Sequence, residues 1–340
     1  MLIILGILAV VFLVVFPILT IVIYNKTFGM RYEERRYESY QVTDFEGLQV
    51  ERCYITANKG HKLSGYKYSR TKETPKALFV MVHGLCGSHK NYLDICNLFA
   101  SKGYAVFSYD ATGSGESEGS KVGSFAQGLA DLDYVLNYVK KLPEYKGLPI
   151  VLMGHSWGGF CVSNILNFHP DVKAVVSVSG FDTAACLLKQ VSEEKMGKAT
   201  TLLMPYINVY EKLCWGKYAG TSACNGFANS KAKVMVIHSS DDPTVFTENG
   251  YGRYYEKFAN DERFIFKMYS DRGHSYPVNS DAGRARRTEI KQGYFKAVEE
   301  GGNEAGESYI KSHMDRTGCK ELDMDLMQEI ETLFERAIAQ

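Results

Sequence analysis

The chain has 340 residues, enough for one large α/β domain or two small ones. Lys plus Arg and Asp plus Glu stand at 39 each, so no basic field argues for nucleic acid and no acidic excess for a cationic partner. Neutrality of this kind says nothing further about function.

Leu2 to Tyr24 carries no charged side chain and is dominated by Leu, Ile, Val and Phe. The run matches the roughly 20 residues that a helix needs to cross a bilayer. A cleaved signal has a shorter apolar core of about 7–15 residues, a basic start and an A-x-A-like site. None of these marks is clear here, so residues 1–25 read as an uncleaved transmembrane anchor, with Pro17 tolerable inside it. Lys26, Arg31, Arg35 and Arg36 follow the run and no Lys or Arg precedes it. The positive-inside rule then predicts a single-pass membrane protein with its large C-terminal part in the cytoplasm, extracytoplasmic display being the alternative. Eight cysteines without framework spacing or a CxxC pair agree with a reducing compartment. Residues 26–49 read as a juxtamembrane linker, solvated and mixed in charge from Arg31 to Tyr40, with the globular part at 50–340.

Cys53 to Thr56 and Leu63 to Tyr68 flank the turn signal Asn58-Lys59-Gly60-His61 and predict an edge hairpin. Ala77 to Val82 is an apolar strand of the kind buried on both faces, ending in His83-Gly84-Leu85. A helix over Asn91 to Lys102 and a strand over Tyr104 to Tyr109 lead to the glycine-rich loop Asp110 to Ser117. That loop lacks G-x-x-x-x-G-K-[ST] and a supported dinucleotide unit, which argues against phosphate binding. From Ser124 to Lys141, Phe125, Leu129, Leu132, Leu136 and Val139 share one helical face, and Ser124 with Gln127 makes a capping-box pattern.

The apolar run Ile150 to Met153 then delivers Gly154-His155-Ser156-Trp157-Gly158-Gly159. A serine with glycines two residues to either side, between a strand and a helix, is the pattern of a nucleophile elbow. Only residues without a Cβ let the two backbone limbs of so tight a turn pass each other. Further strands are predicted over Ala174 to Ser179, Val234 to His238 and Phe264 to Met268. Strands alternating with helices imply a mostly parallel sheet covered on both sides. A serine nucleophile needs a base and a group that orients the base. Asp241-Asp242-Pro243 and Gly273-His274-Ser275 follow the last two strands, at the sheet edge where ligands of open α/β folds bind.

With these residues in order, the chain resembles the α/β-hydrolase superfamily, in its monoacylglycerol-lipase-like and serine-aminopeptidase-like branch. The resemblance rests on His83-Gly84, Asp110 with Gly113 and Gly115, Gly154 to Gly159, Asp242 to Val245 and Gly273-His274, over roughly residues 50 to 280. It implies the α/β-hydrolase fold with a mostly parallel eight-stranded sheet, helices on both faces and a helical cap insertion, preceded by the transmembrane helix. It implies Ser156 as nucleophile, His274 as base, Asp242 as acid, and the backbone amides of Leu85 and Trp157 as oxyanion hole. Asp241 and Asp182 are the alternative acids. His83, His155 and His238 read as structural, His313 as a surface residue, and Asp110 as a tie for its own loop. The stretch at about 181–232 resembles the family's cap, set over the catalytic edge, and residues at about 285–340 form a C-terminal helical extension with a loop at Gly301 to Gly306.

The expectation is a membrane-anchored serine hydrolase that cleaves a carboxylic ester, of a lipid or acylglycerol or of a small molecule, through an acyl-serine intermediate. An aminopeptidase-type peptidase and a catalytically silent binding module are the rivals. Histidines and cysteines lack metal-ligand spacing, and no cofactor or nucleic-acid partner is expected. Oligomeric state has no signal in the sequence.

Overall fold

The computed structural model describes residues 1–70, 73–315 and 318–339. The apolar runs form one eight-stranded sheet in the order β1-β2-β4-β3-β5-β6-β7-β8. β1 (Gln49–Thr56) and β2 (Lys62–Ser69) are the edge hairpin, and β2 pairs antiparallel with β4 (Ala105–Tyr109). β3 (Leu78–Val82), β5 (Ile150–His155), β6 (Ala174–Val178), β7 (Lys233–Ser239) and β8 (Phe264–Tyr269) continue in parallel. Both faces of the central strands are covered, which is why they read as unbroken apolar runs rather than alternating ones. Along β3, Leu78, Val80 and Val82 enter one core layer while Phe79 and Met81 enter the other.

One layer is closed by α4 (Phe125–Val139), α5 (Trp157–Asn164), α8 (Ala223–Asn229) and α9 (Tyr251–Phe258). The other is closed by α3 (Leu93–Ser101), α11 (Met324–Ile338) and Ile290 of α10 (Asp281–His313). The insertion between β6 and β7 consists of α6 (Ala184–Met196), α7 (Met204–Trp215) and α8.

The N-terminal run is helical, as α1 (Leu2–Val10), a π-helical turn (Val11–Val15) and α2 (Phe16–Phe28). It forms an apolar helix of mean hydropathy 3.1 over its richest window, long enough to cross a membrane. Its last turns are not free of the body: Thr20, Tyr24 and Phe28, spaced four apart on one face, are buried.

Two expectations need correction. The stretch Arg31 to Tyr40 is not simply solvated, because Glu38 and Tyr40 are buried, as are Phe45 and Leu48 after it. Arg31 donates to the carbonyls of Ser117 and Gly119 in the glycine-rich loop at 2.8 and 3.1 Å, and Tyr40 donates to the Cys319 carbonyl at 2.6 Å. Aromatic side chains scattered among the charges supply the apolar area that pins this segment down. The loop expected at Gly301 to Gly306 shrinks to Gly301 and Gly302, which alone leave helical geometry inside α10. Gly302, at φ +75°, turns the helix back on itself. The two arms then press together where Gly293 faces Tyr309 and Gly306 faces Val298, with no space at either glycine for a Cβ.

Candidate active site

Ser156 stands between β5 and α5 at φ 57° and ψ −116°, a strained conformation for a residue with a side chain. Its amide is held by the Val178 carbonyl of the neighbouring strand at 2.8 Å. The flanking glycines are steric necessities: a Cβ on Gly154 would lie 2.2 Å from the Gly158 carbonyl oxygen, and one on Gly158 would lie 2.1 Å from that of Val82. The turn therefore lifts the Ser156 hydroxyl above the sheet edge, at the N-terminus of α5.

His274 reaches it from the loop after β8. Its Nε2 lies 2.9 Å from the Ser156 Oγ, and its Nδ1 lies 2.8 Å from the Oδ2 of Asp242, which sits on the loop after β7. A carboxylate only accepts, so Nδ1 carries the proton and Nε2 is the acceptor facing the hydroxyl. The other oxygen of Asp242 accepts from the amides of Thr244 and Val245 at 2.8 and 3.0 Å. Burial pushes this carboxyl up, but the bond to His274 and the two amides outweigh it and hold Asp242 below the usual carboxylate range. Among the described residues the Leu85 and Trp157 amides donate to no protein acceptor.

The alternative acids are committed elsewhere. Asp241 accepts from the Gly273 amide at 3.0 Å and so shapes the loop that carries His274. Asp182 accepts from the Ser222 hydroxyl at 2.8 Å and the Cys224 amide at 3.1 Å, at the start of α8. Asp110 binds the His89 and Glu116 amides, both at 2.8 Å, and fastens the glycine-rich loop. His83 donates to the Gly84 carbonyl at 2.7 Å and accepts from the Ala111 amide at 2.9 Å, which shapes the loop before Leu85. His238, in β7, donates to the Val245 carbonyl at 2.9 Å and so fastens the loop that carries Asp242. His313 is exposed at the end of α10.

Sequence reasoning missed a second chain of hydrogen bonds beneath the serine. His155 Nε2 lies 2.7 Å from the His274 carbonyl, which can only accept, so the His155 Nδ1 accepts from the Tyr92 hydroxyl at 2.8 Å. The same hydroxyl accepts from the Gly84 amide at 3.3 Å. Burial, with the His274 charge beside it, pushes His155 down to about 3, so it stays neutral. Tyr92 thus ties the His83-Gly84-Leu85 loop to the backbone of His274, 63 residues from its His155 partner in sequence. Nothing in the local pattern around Tyr92 signals this.

The narrow cleft beside Ser156 is lined by Arg35, Glu38, Leu85, Tyr92, His155 and His274 among others, and by no residue of 181–232. The corrected segment 26–49 therefore supplies a wall of the site. Arg35 pairs with Glu38 at 3.5 Å, and Glu38 accepts from the Tyr276 hydroxyl at 2.8 Å. Among the described residues no cluster of His, Cys, Asp and Glu is arranged to hold a metal ion.

Comparisons with known proteins bear on the family and the fold. Residues 73–249, a little over half of the chain, match the family described as serine aminopeptidase, S33. The chain is 36% identical to human monoglyceride lipase over 97 residues, 27% of this chain and 31% of that one. It is 31% identical to caffeoylshikimate esterase of Arabidopsis thaliana over 135 residues, 38% of each. The chain thus spans about a third of the length of the curated relatives that it matches. A Pyrococcus furiosus esterase shares the fold, with a TM-score of 0.54 and 18% identity, over 81% of this chain and 96% of that one. The chain belongs to the family described as serine aminopeptidase, S33, and has the α/β-hydrolase fold.

Proposed function

We propose that the protein is a membrane-anchored serine hydrolase that cleaves the carboxylic ester of a lipid of the acylglycerol class. The observation that carries this reading is the unbroken hydrogen-bonded line from Asp242 through His274 to a strained Ser156. The His274 Nε2 takes the Ser156 proton as Oγ attacks the ester carbonyl, and Asp242 holds the imidazolium that forms. The oxyanion of the tetrahedral intermediate receives the amides of Leu85 and Trp157. His274 then gives its proton to the departing alcohol. Water, deprotonated by the same nitrogen, attacks the acyl-Ser156 carbonyl, and the acid leaves as Ser156 regains its proton.

Helix α1–α2 is the anchor, and Lys26, Arg31 and Arg35 after it favour a cytoplasmic catalytic domain. The lipid ester draws support from the similarity to monoglyceride lipase and from an apolar helix that keeps the site beside a bilayer. One observation favours the peptidase reading: the carboxylate of Glu38 lines the cleft with Ser156 and offers charge to a substrate amine. Its oxygens are already engaged by Arg35 and Tyr276, which weighs toward the ester.

The test is fluorophosphonate labelling of the full chain, wild type against Ser156→Ala, followed by monoacylglycerols, soluble nitrophenyl esters and aminoacyl nitroanilides. Ser156-dependent labelling with turnover of long-chain esters is expected. Anilide turnover alone transfers the assignment to the peptidase, and an unlabelled, folded wild type removes the enzyme.

A further inference from the structure

His274 stands in the loop between β8 and α10, and both limbs of that loop are held from outside it. On the upstream limb the Arg272 amide donates to the Ser239 hydroxyl and the Gly273 amide to Asp241, each at 3.0 Å, at the end of β7. On the downstream limb the Val278 carbonyl accepts from the Asp323 amide at 3.0 Å, and the Ser280 amide donates to the Glu321 carbonyl at 3.3 Å. Between these two bonds Asn279 bridges to Leu322. The segment that leads into α11 is therefore the bed of the chain that leaves His274.

One side chain ties both limbs to that bed. The Arg272 guanidinium reaches across the loop, donating through Nη1 to the Pro277 carbonyl and through Nη2 to the Oδ2 of Asp323, both at 2.7 Å. It lies against the ring of Tyr269, the last residue of β8, with Cζ 3.5 Å from the ring centroid. A planar fork of fixed donors meets all three demands at once, which the ammonium of a lysine cannot. Asp323 is placed to receive it because it caps α11: its Oδ1 accepts from the Leu326 amide at 3.1 Å, which leaves Oδ2 for the arginine. Burial pushes this carboxyl up, but the Leu326 amide and the guanidinium outweigh it and hold Asp323 below the usual carboxylate range. The partners are 51 residues apart in sequence, and the Arg272 side chain is only 11% exposed, so solvent screens the pair little.

We propose that Arg272 is a positioning residue for the base. Held by Asp323 at the head of α11, it fixes the span from residue 272 to residue 277 and with it the place of His274 between Asp242 and Ser156. The inference rests on the reading of His274 as the base given above. His274 has to meet Asp242 and Ser156 at 2.8 and 2.9 Å at the same time. Gly273 before it, at φ +57°, adds no stiffness of its own to the limb. A misplacement of about 1 Å costs on the order of 10²-fold in rate. The C-terminal helix α11 thus acts on the reaction through its cap, without lining the cleft of Ser156.

The test uses the full chain in detergent with a soluble nitrophenyl ester, and kcat is taken per site titrated to completion by a fluorophosphonate, so that unfolded protein is not counted. Arg272→Ala should lower kcat roughly 10- to 100-fold with KM nearly unchanged. Guanidinium chloride at a sub-denaturing concentration should restore part of the loss and urea none, because only the cation reoccupies the place between Pro277 and Asp323. Arg272→Lys should stay below wild type. Asp323→Ser keeps a cap of similar rank on α11 and removes the partner of Arg272; it should lower kcat as well, and the double variant should fall no further than Arg272→Ala. A wild-type kcat per titrated site in Arg272→Ala overturns the proposal and leaves His274 standing as the base. A loss that guanidinium does not relieve, or that adds fully to that of Asp323→Ser, assigns Arg272 to stability alone and overturns it too. Where Arg272→Ala does not fold, an unchanged kcat in Asp323→Ser has the same force. Wild type without Ser156-dependent turnover removes the base reading and this proposal with it.

Discussion

Of the histidines around Ser156, His155 has both ring nitrogens committed, to Tyr92 and to the carbonyl of His274, whereas His274 has one nitrogen committed to Asp242 and one turned to the hydroxyl. Tyr92 is thus a positioning residue for two parts of the site at once. Tyr92→Phe removes the donor to His155 and the acceptor for the Gly84 amide. Turnover is expected to fall roughly 10- to 100-fold with KM nearly unchanged, because geometry rather than substrate affinity is lost. An unchanged turnover in a steady-state assay refutes the role. His155 also carries a pH prediction. Its folded pKa lies at about 3 against an ordinary 6.5. Above 6.5 both states are neutral and its contribution is intact; as pH falls from 6.5 toward 3 only the unfolded state takes up the proton, and stability drains away. Melting temperature should therefore decline across that window, with a shallower slope in His155→Gln.

At the scale of elements, the turn from β5 to α5 is where sequence and geometry constrain each other most. Gly158→Ala places a methyl 2.1 Å from the Val82 carbonyl oxygen, a backbone atom that cannot swing aside. The expected loss is at least about 3 kcal/mol, the upper range for overpacking, read by denaturant titration. A near-wild-type midpoint means that the elbow is looser than described. α10 makes the converse point. Its Gly301-Gly302 break reads locally as a loop, yet helix continues on either side because Gly293 and Gly306 let the two arms approach closely.

For the whole molecule, the last turns of the N-terminal helix and the segment after it belong to the folded body. Phe28 packs edge-to-face on Phe125 of α4 at 4.9 Å, and Tyr24 binds Glu211. A chain begun at residue 30 should be less stable than one begun at residue 14, in the same detergent, by about 3 kcal/mol or more from the lost Phe28 alone. Equal melting of the two by calorimetry contradicts this integration.

What the sequence determined by itself is local or periodic. The apolar run of the N-terminal helix, the alternation of strands and helices, the steric signature of Gly154 to Gly158, and strand-end positions for Asp242 and His274 are all written in neighbours a few residues apart. Side-chain spacing along one element is set by covalent geometry, so it can be read without the fold. What only the tertiary structure decided are pairings across long loops. Tyr92 meets His155, Glu211 joins Tyr24 across 187 residues to Ser124, and Arg35 with Glu38 comes to line the cleft of Ser156. Such contacts depend on which faces the closed sheet and its helices bring together. No local period encodes that choice, and the charged stretch after the apolar run therefore reads as solvated until Tyr40 and Phe45 are seen to be buried.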